Sequence, residues 1–323
     1  MLPNFSYVRP ATLAAAIEQL AAAGSRVHAG GTDLLGCLRD EVFGADKLVA
    51  IGGLAELKGI APSADGGLRI GALVTLAEIA ASREIASRYP ALAQGAAAAA
   101  SPQLRNQGTL GGNLCQRPRC WYFRGQFHCA RKGGEKCFAV EGENQFHCVF
   151  GGEVCFIVHP SDTAPALVAL DALFRIAGPG GSRLVPAAKF FVLPGVDYTR
   201  ENVLRPGEIL TDVVLPAPPP GARGGYRKVR ARGAWDFALG GAAVTAEIAA
   251  GQVKQARIVL SGAAPAPWRV PEAERTLVGS PLDAASVARA AEAAVRGAQP
   301  LSANAYKVDL LRGVVEEALL ALV

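Results

Sequence analysis

Apolar residues recur at Leu13, Ile17 and Leu20 behind Thr12, a spacing that places them on one face of a helix. Thr12 is positioned to cap that helix, and Gly24 to end it. The run Arg26 to Ala29 then predicts a strand. It passes through the glycine turn of "AGGTDLL" into a second helix carrying Leu34, Leu35 and Leu38. "KLVAI" predicts another strand, and "LRIGALVTLAEIAAS" a strand entering a helix, with Thr75 and Glu78 spaced as a capping box. An alanine-rich helix is expected around residues 90 to 100, followed by a polar, glycine-rich loop, "SPQLRNQGTLGGNL". "HPSDTAPALVALDA" reads as a turn and a helix with Ser161 or Asp162 near its start, and "LFRIAGPGGSRLVP" as a β-hairpin. The Pro/Gly stretch "LPAPPPGARGG", residues 215 to 225, suits a linker. Beyond it, "GGAAVTAEIAAGQVKQARIVLSG" predicts two strands around a turn. "AASVARAAEAAV" and "AYKVDLLRGVVEEALLALV" carry the i, i+3, i+4 stripe of amphipathic helices. No internal repeat is present.

The chain has 323 residues, half of them apolar, enough for two domains with a sizeable core. The net charge of +5 is mild, and the basic residues are scattered without interleaved aromatics, which argues against a nucleic-acid partner. The N-terminus lacks a charged region followed by an apolar one, and no apolar stretch is long enough to span a membrane. The expected compartment is the cytoplasm, where clustered cysteines point to metal or redox chemistry rather than disulfides.

Six of the seven cysteines fall between Cys115 and Cys155, separated by four, eight, seven, ten and six residues. There is no CxxC pair, so a zinc ribbon or thioredoxin-type motif is disfavoured, and the two-cluster ferredoxin spacing is absent. Widely spaced cysteines in a glycine-rich loop can still give four thiolates to a [4Fe–4S] cluster. Arg124, Arg131, Lys132 and Lys136 would then offset its negative charge. The competing interpretation is a set of buried thiols, with or without zinc.

Two glycine turns have the makings of an anion cradle. "AGGTDLL" opens a helix after a strand, so its backbone N–H groups can approach a phosphate closely. Neither GxGxxG nor GxxxxGK[ST] is present, and a purely structural turn is the alternative. "NQGTLGGNLC", about eighty residues on, has Thr109 and Asn113 beside its glycines; together the two turns could grip one extended cofactor. In "HPSD", Asp162 can accept from ribityl or ribose hydroxyls, cap the following helix, or do both.

"HAGGTDLL", "SPQLRNQGTLGGNL", "HPSDTAPALVALDA", "GEILTDVVLP" and "YRKVRARGAWDFAL" occur in the order found in FAD-binding medium subunits of molybdenum hydroxylases, the xanthine oxidase family. This resemblance covers essentially the whole chain. The position of the cysteine stretch, directly after "GTLGGNL", resembles the subgroup that carries a [4Fe–4S] cluster there. That subgroup includes the 4-hydroxybenzoyl-CoA reductase β subunit and a bacterial aldehyde oxidoreductase.

The resemblance implies a vanillyl-alcohol-oxidase-type (PCMH-type) FAD-binding domain, residues 1–217, made of two α/β subdomains at about 1–55 and 56–217, with the iron–sulfur loop at 115–155. A C-terminal α+β domain of the CO dehydrogenase flavoprotein type, residues 222–323, would follow. Carried over by motif, Ala29, Gly30, Gly31, Thr32, Asp33 and Leu34 would wrap the FAD pyrophosphate. Thr109, Gly112 and Asn113 would contact it from the second turn, and Asp162 would bind ribityl or ribose oxygens. Leu210 would pack on a flavin or adenine ring, and Lys228 would bring a cation to the flavin. The subgroup pattern leaves out Cys115 and has alanine in place of Cys148, which implies Cys120, Cys129, Cys137 and Cys155 as ligands, with Cys148 the alternative to Cys155 because the outer gaps depart from that pattern.

The implied role is electron transfer between a molybdenum large subunit, a [2Fe–2S] small subunit and an external partner, ferredoxin or NAD(P), and the implied assembly is a dimer of heterotrimers. The implied chemistry is reduction of an aromatic acyl-CoA or, alternatively, oxidation of an aldehyde or N-heterocycle. No residue has the setting of an acid or base for substrate turnover, as a relay subunit requires. A self-contained FAD oxidoreductase would need a large substrate domain, which is not evident. A non-enzymatic iron–sulfur or zinc module would leave both glycine turns unexplained.

Overall fold

The computed structural model describes residues 1–323 and places them in three sheets, each with its own helices. Ser6–Val8 (β1), Ser25–His28 (β2) and Lys47–Ala50 (β3) form a parallel sheet in the order β1-β3-β2. Leu13–Leu20 (α1) and Leu34–Arg39 (α2) connect its strands. α1 begins where Thr12 Oγ1 accepts from the Ala15 N–H at 3.2 Å, and it buries Ala16 and Leu20 against Val49 and Ile51. Gly24 does not end the helix, which closes at Ala21. It serves the next turn instead, with φ +72° and no room for a Cβ, which would lie 2.0 Å from the Asp46 carboxylate.

The second sheet begins with Ile60–Pro62 (β4) and Leu68–Gly71 (β5). Helices Leu76–Ala81 (α3), Arg83–Arg88 (α4) and Pro90–Ala98 (α5) follow. The capping box forms as expected: Glu78 N–H donates to Thr75 Oγ1 at 3.2 Å, and Thr75 N–H to Glu78 Oε2 at 2.7 Å. The stretch expected as a polar loop is mostly two short helices, Pro102–Gln107 (α6) and Leu110–Leu114 (α7). Ser101 and Thr109 cap them, and Pro102 sits at a first-turn position where no N–H is needed. Gly111 lets α7 press onto Ala72, whose Cβ an added methyl would meet at 2.9 Å. The cysteine insert contains only the single turn Trp121–Arg124 (α8) and a 3-10 turn at Ala130–Lys132.

Thr163–Ala169 (α9), the hairpin Leu173–Gly178 (β6) with Gly181–Pro186 (β7), Pro194–Asp197 (α10) and Ile209–Leu215 (β8) complete this unit. Its antiparallel sheet runs β4-β5-β8-β6-β7. α9 is buried along its whole length, packed with α5 in the largest core.

The expected linker is shorter than its composition suggests, because β8 runs through Leu215 and the next strand starts at Ala222. Ala222–Val229 (β9), Gly240–Ala249 (β10), Gln252–Ser261 (β11) and Trp268–Arg269 (β12) form an antiparallel sheet in the order β12-β11-β10-β9. Helices Pro271–Leu277 (α11), Ala284–Ala294 (α12) and Tyr306–Leu320 (α13) share a core with it, setting Val287, Ala290, Leu311 and Val315 beside Val244, Ile258 and Leu260. Strand β9 docks on α5, where Tyr226 N–H donates to Gln94 Oε1 at 2.7 Å. No helix is long and apolar enough to cross a membrane.

Candidate functional site

The two glycine turns meet. Gly30 lies so close to Gln107 that a Cβ would stand 2.0 Å from its carbonyl oxygen. Gly31 has φ +72°, which favours glycine, and a Cβ there would come within 2.9 Å of His28 Nε2. Ala29 and Thr32 flank this contact, and Leu34 starts α2. Asp33 makes no side-chain cap to α2. Its carboxylate instead accepts from the Arg117 N–H at 2.7 Å, from Arg124 at 2.7 Å and from Arg119 at 3.0 Å. The first turn is thereby tied to the cysteine insert. Arg124, expected to offset cluster charge, is committed to Asp33.

The second turn is joined to the third. Asn113 Oδ1 accepts from Ser161 Oγ at 2.5 Å and from Thr163 Oγ1 at 2.7 Å. The Gly112 N–H is held by Thr109 Oγ1 at 3.2 Å. Ser161 caps α9, accepting from the Ala164 N–H at 3.0 Å, whereas Asp162 makes no cap bond. Asp162 accepts from Tyr226 Oη at 2.7 Å and from Lys228 Nζ at 2.8 Å, and Tyr226 Oη is 2.9 Å from Ser261 Oγ. Burial raises the Asp162 carboxyl above its usual value, and the Lys228 ammonium opposes that rise. Lys228 also donates to the Ala98 carbonyl at 3.1 Å, so its charge is paired and fixed. Leu210 stands apart from these groups: it is buried on β8 in the largest core.

A cavity of about 210 Å³ opens beside the third turn. His159, Pro160, Ser161 and Asp162 form one wall, Arg119, Trp121, Phe146 and His147 of the insert a second, and Asp236 to Leu239 with Ser261 and Gly262 a third. Apolar rings with a few convergent polar groups suit a planar heteroaromatic ring. Burial pushes the His159 imidazole down to about 4, which keeps it neutral, and its Nε2 has no partner. The sequence reading missed Tyr226 and the Asp236–Leu239 wall. Tyr226 was accessible in principle, because it precedes Lys228 by two residues and strand periodicity puts both on one face.

The insert gathers its thiols. Cys120, Cys129, Cys137 and Cys155 all line one small cavity of about 10 Å³, with Phe123, Phe138 and Ile157 among its apolar walls. Cys115 and Cys148 are absent from that lining. The wall contains no carboxylate and two nitrogen bases, Arg131 and His147. Arg131 Nε donates to Cys155 Sγ at 3.4 Å and its guanidinium pairs with Glu201. His147 Nε2 is 3.3 Å from Cys120 Sγ. Burial pushes the Cys120 thiol up to about 12, with Cys155 and Cys137 adding to the effect. Lys132 donates to the Gly125 carbonyl at 2.7 Å and Lys136 faces Glu141 at 3.4 Å, so neither turns to the thiols. No group of three or more His, Cys, Asp or Glu side chains converges tightly enough to hold a single metal ion. A carboxylate-free, thiol-lined and base-supported cavity fits an anionic thiolate-ligated cluster in donor chemistry.

Comparison with known proteins gives the chain its class. Residues 3–218 match the family described as "FAD binding domain in molybdopterin dehydrogenase", and residues 224–322 match the "CO dehydrogenase flavoprotein C-terminal domain". The chain belongs to the FAD-binding subunits of the molybdenum hydroxylase family, and is an oxidoreductase subunit. It is 36% identical over 278 residues to the aldehyde oxidoreductase FAD-binding subunit of Escherichia coli (strain K12), spanning 84% of this chain and 86% of that protein. It is 28% identical over 324 residues to the carbon monoxide dehydrogenase medium chain of Hydrogenophaga pseudoflava, 98% of this chain and 96% of that one. Among solved structures it is similar to carbon monoxide dehydrogenase from Hydrogenophaga pseudoflava, with TM-score 0.79, 27% identity and coverage of 100% of this chain and 98% of that chain. Quinoline 2-oxidoreductase from Pseudomonas putida 86 is similar at TM-score 0.78 and 27% identity, over 100% of this chain and 98% of that chain.

Proposed function

We propose that this subunit passes electrons between an FAD and a [4Fe–4S] cluster held on the same chain. The observation that carries this is a shared wall: Cys120, His147 and Ile157 line both the thiol cavity and the 210 Å³ cavity. A ring in the larger cavity and a cluster in the smaller would have only these side chains between them.

When bound, FAD supplies exchange of one or two electrons. The protein's part is to hold and orient it. Ala29 to Leu34 face the pyrophosphate with their backbone, and Thr109, Gly112 and Asn113 approach from the second turn. Asp162 retains lone pairs for a ribityl or ribose hydroxyl after bonding Tyr226 and Lys228. Leu210, buried on β8 in the largest core, stands apart from these groups. Cys120, Cys129, Cys137 and Cys155 are the proposed cluster ligands. A single thiolate-bound ion would need its sulfurs about 3.8 Å apart, given bonds of about 2.3 Å. A cluster that binds each thiolate through a separate iron accepts wider spacing, in keeping with four thiols around a cavity rather than at a point.

The proposed assembly adds a molybdenum large subunit and a [2Fe–2S] small subunit, as a dimer of heterotrimers, with ferredoxin or NAD(P) as external partner. For the substrate of that assembly, the 36% identity to an aldehyde oxidoreductase subunit favours aldehyde oxidation over the aromatic acyl-CoA reduction first expected. The test is the visible spectrum with iron and sulfide analysis of the purified protein. Flavin bands with about four irons per chain are expected for one cluster. Flavin without iron would confine the role to FAD and leave the insert a structural loop.

A further inference from the structure

His147 occupies the wall between the two cavities and is 5% exposed. Its backbone is held at both polar groups: its N–H donates to the Asn144 carbonyl at 2.9 Å, and Asn304 Nδ2 donates to its carbonyl at 3.0 Å. The ring directs Nε2 at Cys120 Sγ, 3.3 Å away, while Nδ1 is buried without a partner. A ligating thiolate has no proton to give, so the imidazole must donate through Nε2. Arg131 plays the equivalent part at Cys155. A hydrogen bond to a ligand sulfur offsets its negative charge, and that charge is greatest in the reduced cluster.

We propose that His147 is a positioning residue for electron transfer: its Nε2–H bond to the Cys120 sulfur raises the reduction potential of the cluster and fixes the ligand sulfur that faces the flavin cavity. This rests on the cluster assignment above. It assigns a task to a histidine that neither cofactor motif includes.

The test uses the cofactor-loaded full chain as parent and the variants His147→Leu, His147→Phe and His147→Gln. Iron and sulfide are measured first, then the cluster's midpoint potential by titration followed by electron paramagnetic resonance. His147→Leu and His147→Phe keep their iron and shift the one-electron equilibrium toward the oxidised cluster on the order of tenfold, a fall of about 59 mV. His147→Gln, which keeps an N–H donor, recovers most of that shift. An unchanged potential in an iron-loaded donor-free variant would overturn the proposal while leaving the cluster assignment intact. Iron loss in both donor-free variants would make the histidine a structural post and also overturn it. A parent without iron would remove the cluster assignment itself, and this proposal with it.

Discussion

Lys228 Nζ lies 2.8 Å from Asp162 Oδ2, and this pair, almost wholly withdrawn from solvent, joins strand β9 of the C-terminal sheet to the turn that opens α9. Breaking a buried pair from one side strands the other charge, at a cost of about 3 kcal/mol or more. Asp162→Asn and Lys228→Met should each destabilise the protein by about that amount in urea unfolding, and each should lower the FAD retained on purification. The double variant should recover part of the stability, because neither charge is then left alone. It should not recover the FAD, since Asp162 is proposed to meet the cofactor. Additive stability losses in the double variant would show that the two groups act independently.

Gly30 and Gly36 make a controlled comparison. At Gly30 a methyl would collide with the Gln107 carbonyl at 2.0 Å, whereas at Gly36, on α2, nothing lies within 4 Å. Gly30→Ala should separate the two glycine turns, cost about 1–3 kcal/mol and weaken FAD binding. Gly36→Ala should leave FAD content unchanged and stabilise by about 0.5–1 kcal/mol, through helix propensity. Thermal unfolding and flavin content of both variants decide the matter. Equal FAD retention in the two would mean that the turns need not meet.

Much of this fold is legible along the chain, and the failures have physical causes. Thr12 caps α1, Thr75 and Glu78 build their box, and the hairpin over residues 173–186 pairs as expected, because these signals act within a few residues. α7 escapes such reading because Gly111 and Gly112 have low helix propensity, and α6 because it is one short polar turn with no apolar stripe; they form through the Thr109 and Ser101 caps, and α7 also through the fit of Gly111 to Ala72. Asp162 looks like a cap in isolation. It is released from that role because Ser161 takes it, and its real partner lies 66 residues away on β9. Likewise, no periodicity reveals that Asp33 binds Arg124 across 91 residues. The glycine turns stand out along the chain, but their mutual contact through Gly30 and Gln107 is a product of tertiary packing.

The cysteines divide by position. Cys120, Cys129, Cys137 and Cys155 share a cavity, and Cys115 and Cys148 lie outside its lining. Replacing any one of the first four with serine should abolish or sharply reduce iron and sulfide, with flavin retained. Cys115→Ala and Cys148→Ala should keep the full complement. Cys148 is the stricter control, because it is buried and its thiol is raised first by that burial and further by the nearby Cys155 and Cys137. Iron loss in Cys148→Ala together with retention in Cys155→Ser would exchange their assignments.

Lys307 predicts a pH dependence of stability. Its side chain is wholly buried, Nζ donates to the Gly262 carbonyl at 2.8 Å and the Phe146 carbonyl at 3.1 Å, and it forms no ion pair. Burial pushes its ammonium down from the usual 10.5 to about 8. Above about 8 the native protein releases this proton, while the unfolded chain keeps it up to about 10.5. The unfolded state thus binds more protons in that window, and the contribution of Lys307 to stability rises with pH across it. Below the window both states are protonated and the full cost of burying the charge is present. Lys307→Met removes the titration. It also removes two hydrogen bonds to carbonyls, a loss that does not vary with pH and cancels when two pH values are compared. The stability of the parent relative to Lys307→Met should therefore increase from pH 7 to pH 10 by up to about 3 kcal/mol. Urea unfolding of both proteins at each pH measures it, and a pH-independent difference would mean that the ammonium keeps its ordinary affinity for the proton despite its burial.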